Sequence, residues 1–289
     1  MSQETLENLL RRHVKELAVV IGERNIFRPH ALWAAADYIR AEWRAQGYEV
    51  MSQAYQAEGV ASENLEITRA GRSRPGEILL IGAHYDSVAG SPGANDNGSG
   101  VAALLEISRF MAERSPERTV RFVAFVNEEP PFFFWGQMGS LVYAQMARAR
   151  GDNIQLMMSL EMLGCFLDER GSQSYPPLLR YFYPDRGNFI AFVSNLKSRK
   201  ALKRAFKTFR ARSDFPAESL AAPSFVPGVG WSDQLSFWRQ GYRAMMVTDT
   251  AFYRYPYYHS GRDRAEQLNY PCMTRVVEGL RETIAELAG

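Results

Sequence analysis

Four histidines occur in the 289 residues, and two of them stand close to carboxylates beyond apolar runs. His84 follows Ile78–Ala83, with Asp86 two residues on; Glu128 and Glu129 come after Val120–Val126; Glu161 comes directly after Ile154–Leu160. Asp96 lies in the glycine-rich stretch Gly93–Gly100, and Tyr258-His259 comes downstream of Ala244–Val247. Imidazole nitrogen and carboxylate oxygen are ligands for zinc. Two ions about 3.5–4 Å apart need a carboxylate between them and side ligands for each. His84, Asp96, Glu129, Glu161 and His259 supply two histidines and three carboxylates for such a centre. Asp96 sits among glycines, where the backbone is free to aim a carboxylate at both ions. Asp86 is placed to accept the other ring N–H of His84 and so fix its tautomer. Glu128 is then spare, and a spare carboxylate beside a metal-bound water is what hydrolysis needs as a general base.

Taken singly, each feature has a plainer reading. A lone His-x-Asp is common, adjacent glutamates are usually a solvated pair, and the glycine loop could be a flexible turn. His259, set among Tyr253, Tyr255, Tyr257 and Tyr258, equally suits a packed core histidine. Glu161 is less ordinary, because a carboxylate at the end of a buried strand needs a partner. The joint pattern carries the argument: three consecutive buried strands end in His or carboxylate residues, where open α/β sheets bind their ligands.

These positions depend on the elements that hold them. Leu6, Leu9, Leu10, Val14, Leu17 and Val20 recur at helical spacing, and a second helix runs from Pro29 to near Gly47. Strands are expected at Tyr48–Gln56, Asn64–Ala70, Glu77–His84, Thr119–Asn127, Ile154–Leu160, Phe189–Val193 and Ala244–Thr248. Helices are expected at Gly100–Glu113, Gly139–Arg150, Lys197–Arg212 and Tyr270–Leu287. Unalternating apolar strands are buried on both faces. Strands alternating with helices predict one α/β domain over residues 1–289, built on a mostly parallel sheet. Residues 165–188 and 213–231, rich in Pro, Gly and aromatics, read as long loops that serve as lids or binding walls.

Composition removes several classes. Hydrophobic residues at 46% and charged residues at 23% are ordinary for a globular chain. Lys+Arg 34 against Asp+Glu 32 gives a net charge of +2 with no evident basic stripe, which argues against nucleic acid as a partner. No apolar run approaches the roughly 20 residues of a membrane span, and the charged N-terminus lacks a signal core, so a cytoplasmic chain is expected. Cys165 and Cys272 make no disulfide framework, and their reading is that of buried thiols. No GxSxG, GxGxxG or phosphate loop is present. His13 and His30, beside the N-terminal helices, read as structural.

The ordered set HYDSV, GANDNGSGVAALLE, NEEP, SLEMLG and YHSGRD resembles the di-zinc aminopeptidase family, with glutamate carboxypeptidases and glutaminyl cyclases as relatives. The resemblance implies a three-layer α/β/α sandwich with a mixed sheet of about eight strands. It implies that His84 and Glu161 hold one zinc and Glu129 and His259 the other. Asp96 would bridge them beside a cis peptide to Asn97. Asp86 would orient His84, Glu128 would act as general acid/base, and Tyr258 would steady the oxyanion. The implied reaction removes an N-terminal residue, apolar by preference, from a peptide with a free N-terminus. Co2+ or Mn2+ are open as native metals, and oligomeric state is not read from the sequence. The shared motifs leave three alternatives: a carboxypeptidase using Arg180, Arg186, Arg254 or Arg262, a single-zinc cyclase-like acyl transferase, and a non-catalytic scaffold. Glu161 stands where many members have Asp, Gln234 where His is common after Ser-Asp, and Arg264 where Thr is commoner. Pro130–Trp135 reads equally as a wall of the substrate pocket and as core packing.

Overall fold

Continuous apolar strands can lie only where both faces are covered, and here helices cover them. A computed structural model describes residues 4–133 and 136–289. Eight strands form one sheet: β1 (Met51–Ala57), β2 (Val60–Arg69), β3 (Arg74–His84), β4 (Arg118–Phe125), β5 (Ile154–Glu161), β6 (Ile190–Ser194), β7 (Ala217–Ala221) and β8 (Ala244–Thr248). Their order is β1-β2-β4-β3-β5-β8-β6-β7. β4, β3, β5 and β8 are parallel, β1 and β2 add antiparallel strands at one edge, and β6 and β7 run together but antiparallel to β8. The centre therefore points four strand ends the same way, and the residues just past them meet.

The helices are α1 (Leu6–Lys15), α2 (Pro29–Ala45), α3 (Gly100–Ala112), α4 (Gly139–Arg150), α5 (Arg199–Arg212), α6 (Gln234–Arg239) and α7 (Tyr270–Ala288). α1, α2, α3, α5 and α7 share one apolar core with one face of the sheet. α4 and α6 cover the other face through Tyr143, Ala144 and Phe237. This is the expected α/β/α sandwich.

Three features depart from the sequence reading. The first helix does not keep its register to Val20: the Gly22 amide reaches back five residues to Leu17 O, and the widened turn leaves Val19 and Val20 57% and 64% exposed. β7 and α6 were not expected, β7 lying inside the stretch read as a loop at 213–231. Charges are less evenly mixed than expected: Lys197–Arg212 carries eight cations and no anion, all eight exposed.

Candidate metal centre

His84 ends β3 and its ring is buried. Its Nε2 lies 3.4 Å from Glu161 Oε2 at the end of β5, 3.5 Å from Asp96 Oδ1 and 3.9 Å from Glu128 Oε2. The second oxygen of Asp96, Oδ2, lies 3.2 Å from His259 Nε2, which is also 3.2 Å from Glu129 Oε2. Asp96 thus turns one oxygen to each histidine, and each histidine faces a further carboxylate of its own. The peptide between Asp96 and Asn97 is cis. His84, Glu128 and Glu161 form one group of metal-ligating type, and Asp96, Glu129 and His259 another. All five expected ligands, with Glu128, are brought together from five separate stretches of chain.

Neighbouring groups fix these side chains. Asp86 Oδ1 is 3.5 Å from His84 Nδ1, too long for a good hydrogen bond. Its two oxygens instead accept the amides of Glu128 and Glu129, each at 3.1 Å, and so hold the turn that presents both glutamates. Ser232 Oγ donates to Glu161 Oε2 at 2.6 Å. Asp263 accepts the amides of Asn95 and Asp96, and Tyr255 OH donates to the same carboxylate. Arg24, fully buried, donates to the carbonyls of Tyr85, Pro92 and Gly93, flanking the Asp96 loop. Gly93 has φ +62°, and a Cβ there would meet Asp96 O at 2.5 Å, so the loop needs glycine at that point.

Sequence reasoning assigned no role to Ser232, Asp263 or Arg24. Asp263 was within reach, since it lies in the quoted YHSGRD; nothing local marked Arg24. Gln234 is buried and donates to Val229 O, and it lines neither cleft at the centre. His13 is buried against Glu106, His30 stands edge-on to Trp33, Cys165 is a buried thiol and Cys272 is half-buried.

Do these donors fit metal ions? Two ligand atoms about 2.0–2.2 Å from one tetrahedral zinc lie about 3.4 Å apart, and the four closest pairs here span that value. Glu129 Oε1 is buried with no hydrogen-bond partner. The protonation pattern also calls for positive charge. Burial opposes a charged ring at His84, but the carboxylates of Glu161 and Glu128 overcome it and push its pKa well up. At His259 burial is likewise outweighed by Asp96 and Glu129, giving about 10. Burial, reinforced by Asp96, lifts Glu129 to about 7. Clustered acids that draw protons onto their histidines are a set suited to divalent cations.

Two clefts open at the centre. One is lined by Glu128, Glu129, Phe133, Trp231, Tyr258 and His259. Phe132 is buried, so the aromatic stretch after the glutamates divides between core and cleft; Phe134 and Trp135 lie outside the described residues. Tyr258 stacks on His259 with ring centroids 3.8 Å apart. The second cleft, open to solvent, shares Glu161, Trp231 and Tyr258 with the first. Its walls include Tyr175, Leu179 and Tyr183 from the expected loop at 165–188.

An uncharacterised Escherichia coli protein, YfbL, is 37% identical over 280 residues, covering 94% of this chain and 85% of its own. Aminopeptidase YwaD of Bacillus subtilis is 36% identical over 100 residues, 34% of this chain and 21% of its own. The solved structure of a zinc aminopeptidase from Bacillus subtilis superposes with a TM-score of 0.78 at 14% identity, covering 99% of this chain and 96% of that one, which speaks for the fold. The model of peptidase family M28 matches residues 64–284, a span that takes in every residue of the centre, and the chain belongs to that family.

Proposed function

We propose that the chain is a di-zinc aminopeptidase that hydrolyses the first peptide bond of substrates with a free N-terminus. The observation that carries this reading is Asp96, with one carboxylate oxygen toward each of two histidines that each face a further carboxylate. His84 and Glu161 would hold one ion, Glu129 and His259 the other, and Asp96 would reach both. Ions held there supply Lewis-acid polarisation of the scissile carbonyl and make water more acidic.

The remaining steps belong to the chain. Glu128 stands back from His84 at 3.9 Å, leaving room beside it. Burial raises its carboxyl well above the usual range, which suits a group that takes a proton and returns it near neutral pH. Glu128 takes the proton of the attacking water, the carbon–nitrogen bond breaks, and the same proton passes to the departing amine. Burial also pushes the Tyr258 phenol well up, so it stays protonated and able to donate to the developing oxyanion. The substrate α-ammonium meets a site rich in carboxylates.

An exopeptidase acting at a C-terminus would need a cation for the terminal carboxylate. Neither Arg nor Lys lines the two clefts among the described residues. Arg254 is buried and donates to Gln173, Cys165 O and Phe189 O, and Arg186 donates to Asp168 O; neither lines either cleft. This favours the N-terminal reading. The test is Glu128→Gln in zinc-loaded protein. The variant is expected to keep its metal and lose at least about 10²-fold in kcat on aminoacyl anilides. Undiminished turnover would remove Glu128 from its role, and a cyclised N-terminal glutamine as product would replace the hydrolase with an acyl transferase.

A further inference from the structure

The second cleft has a floor that can be read from strand register. Glu161 pairs with Thr248, Ala191 with Thr248, and Ala191 with Glu218, so the four form one row across β5, β8, β6 and β7. Directly paired residues point to the same face of a sheet. All four line the cleft, with Glu161 at the metal centre and Glu218 at the far end. Neighbouring strands lie about 4.8 Å apart, so three steps separate the two carboxylates by about 14 Å at the backbone. Between them the floor is only Thr248 and Ala191, while Phe189, Val193 and Leu220 make the surroundings apolar.

Glu218 is partly buried in this setting, and its carboxylate has no hydrogen bond or ion pair among the described residues. The two nearest phenols do not serve it. Tyr175 OH donates to Pro184 O and Tyr183 OH to Ser219 O. Their rings stack 5.8 Å apart in the same wall, and an aromatic face beside a carboxylate is a favourable place for a cation. Burial pushes the Glu218 carboxyl up, with the charge of Arg210 opposing. An entering ammonium or guanidinium would supply the missing partner, while its methylene stem lies along the apolar walls.

We infer that Glu218 is a specificity-determining residue that selects substrates beginning with Lys or Arg, an inference resting on the aminopeptidase reading above. Short side chains rooted at the metal centre stop over Thr248 and Ala191. A long apolar side chain fills the same space but leaves the carboxylate desolvated and unpaired, which is unfavourable. On this inference, the apolar preference expected from sequence is replaced by one for side chains that carry a cationic end on an apolar stem.

The test compares kcat/KM for lysyl, arginyl, norleucyl and leucyl anilides on zinc-loaded enzyme, wild type and Glu218→Gln. The wild type is expected to favour lysyl over norleucyl by at least about tenfold, and the variant to lose that factor. In the wild type alone, rising salt should lower the lysyl-to-norleucyl ratio, because a partly exposed charge pair is screened. This second arm does not depend on how the variant folds. Hydrolysis of the anilides with a ratio indifferent to both Glu218 and salt, or with norleucyl preferred, would overturn the selection while leaving the aminopeptidase standing. Metal-loaded wild type that cleaves none of the four would remove the aminopeptidase reading and the selection with it.

Discussion

Arg24 illustrates how much of the centre is held by groups that touch no ligand. Its guanidinium is enclosed by carbonyl oxygens at 2.6 Å from Tyr85 and Pro92 and 2.8 Å from Gly93, with no carboxylate within ion-pair distance among the described residues. Burial lowers its pKa to about 10, against the opposing charges of Asp86, Asp263 and Asp96, so it stays charged at neutral pH. Arg24→Met should leave those carbonyls unsatisfied in a dry site and loosen the loop that aims Asp96. The expected result is a loss of about 3 kcal/mol in stability and a weaker hold on zinc. Chelator competition reads the second effect; unchanged zinc affinity would make Arg24 a purely structural residue. The five candidate ligands were legible in sequence because each follows an apolar strand or sits in a distinctive loop. Arg24 was not, because all its side-chain partners are backbone carbonyls, two of them local and three more than 60 residues away, and any sequence offers carbonyls. The same reasoning covers Asp86: its spacing from His84 suggested a ring partner, and only the fold shows it gripping the amides of Glu128 and Glu129.

Among the elements, the helical layer carries a buried polar knot. His13 of α1 bonds Glu106 of α3 at 2.9 Å and Tyr38 of α2 at 2.6 Å, while Arg109 of α3 and Arg281 of α7 each reach Glu106 at 3.0 Å. Burial alone would raise the Glu106 carboxyl; His13 and Arg109 outweigh it and hold it below its ordinary 4.5. A depressed carboxyl stabilises the fold above its unfolded pKa and loses that contribution as pH falls through the folded one. An acid limb in stability is therefore expected below about pH 4.5, where an unperturbed glutamate protonates. Glu106→Gln should flatten this limb and cost about 3 kcal/mol at neutral pH, read by denaturant midpoints across pH. An unaltered acid limb would show that Glu106 does not set it. Apolar periodicity gave the α3 and α7 helices and the parallel strands, because burial on both faces leaves a continuous signal. It missed β7, Ala-Glu-Ser-Leu-Ala, since an edge strand of half-buried residues carries neither a continuous run nor clean alternation. That omission concealed the register row ending at Glu218.

At the scale of the whole molecule, the centre exists only because the sheet order places β3 between β4 and β5, with β8 beyond. His84, Asp96, Glu129, Glu161 and His259 span 176 positions of sequence and converge only in the folded chain. An unfolded chain cannot assemble them, so metal held by them would bind the folded state and stabilise it by RT ln(1 + [L]/Kd), about 4 kcal/mol when free metal is a thousandfold above Kd. Removal also strips positive charge from a buried cluster of four carboxylates, Asp96, Glu128, Glu129 and Glu161, whose mutual repulsion then falls on two histidines alone. Chelation should accordingly lower the melting temperature reversibly, with zinc restoring it in proportion to the logarithm of free metal. Asp96→Ala withdraws the oxygens that face both histidines, so chelator should move the melting temperature of that variant far less. Equal chelator shifts in wild type and variant would place the stabilising metal elsewhere on the molecule. A shift confined to the wild type would tie the fold's stability to the two histidines and three carboxylates first visible as punctuation after its strands.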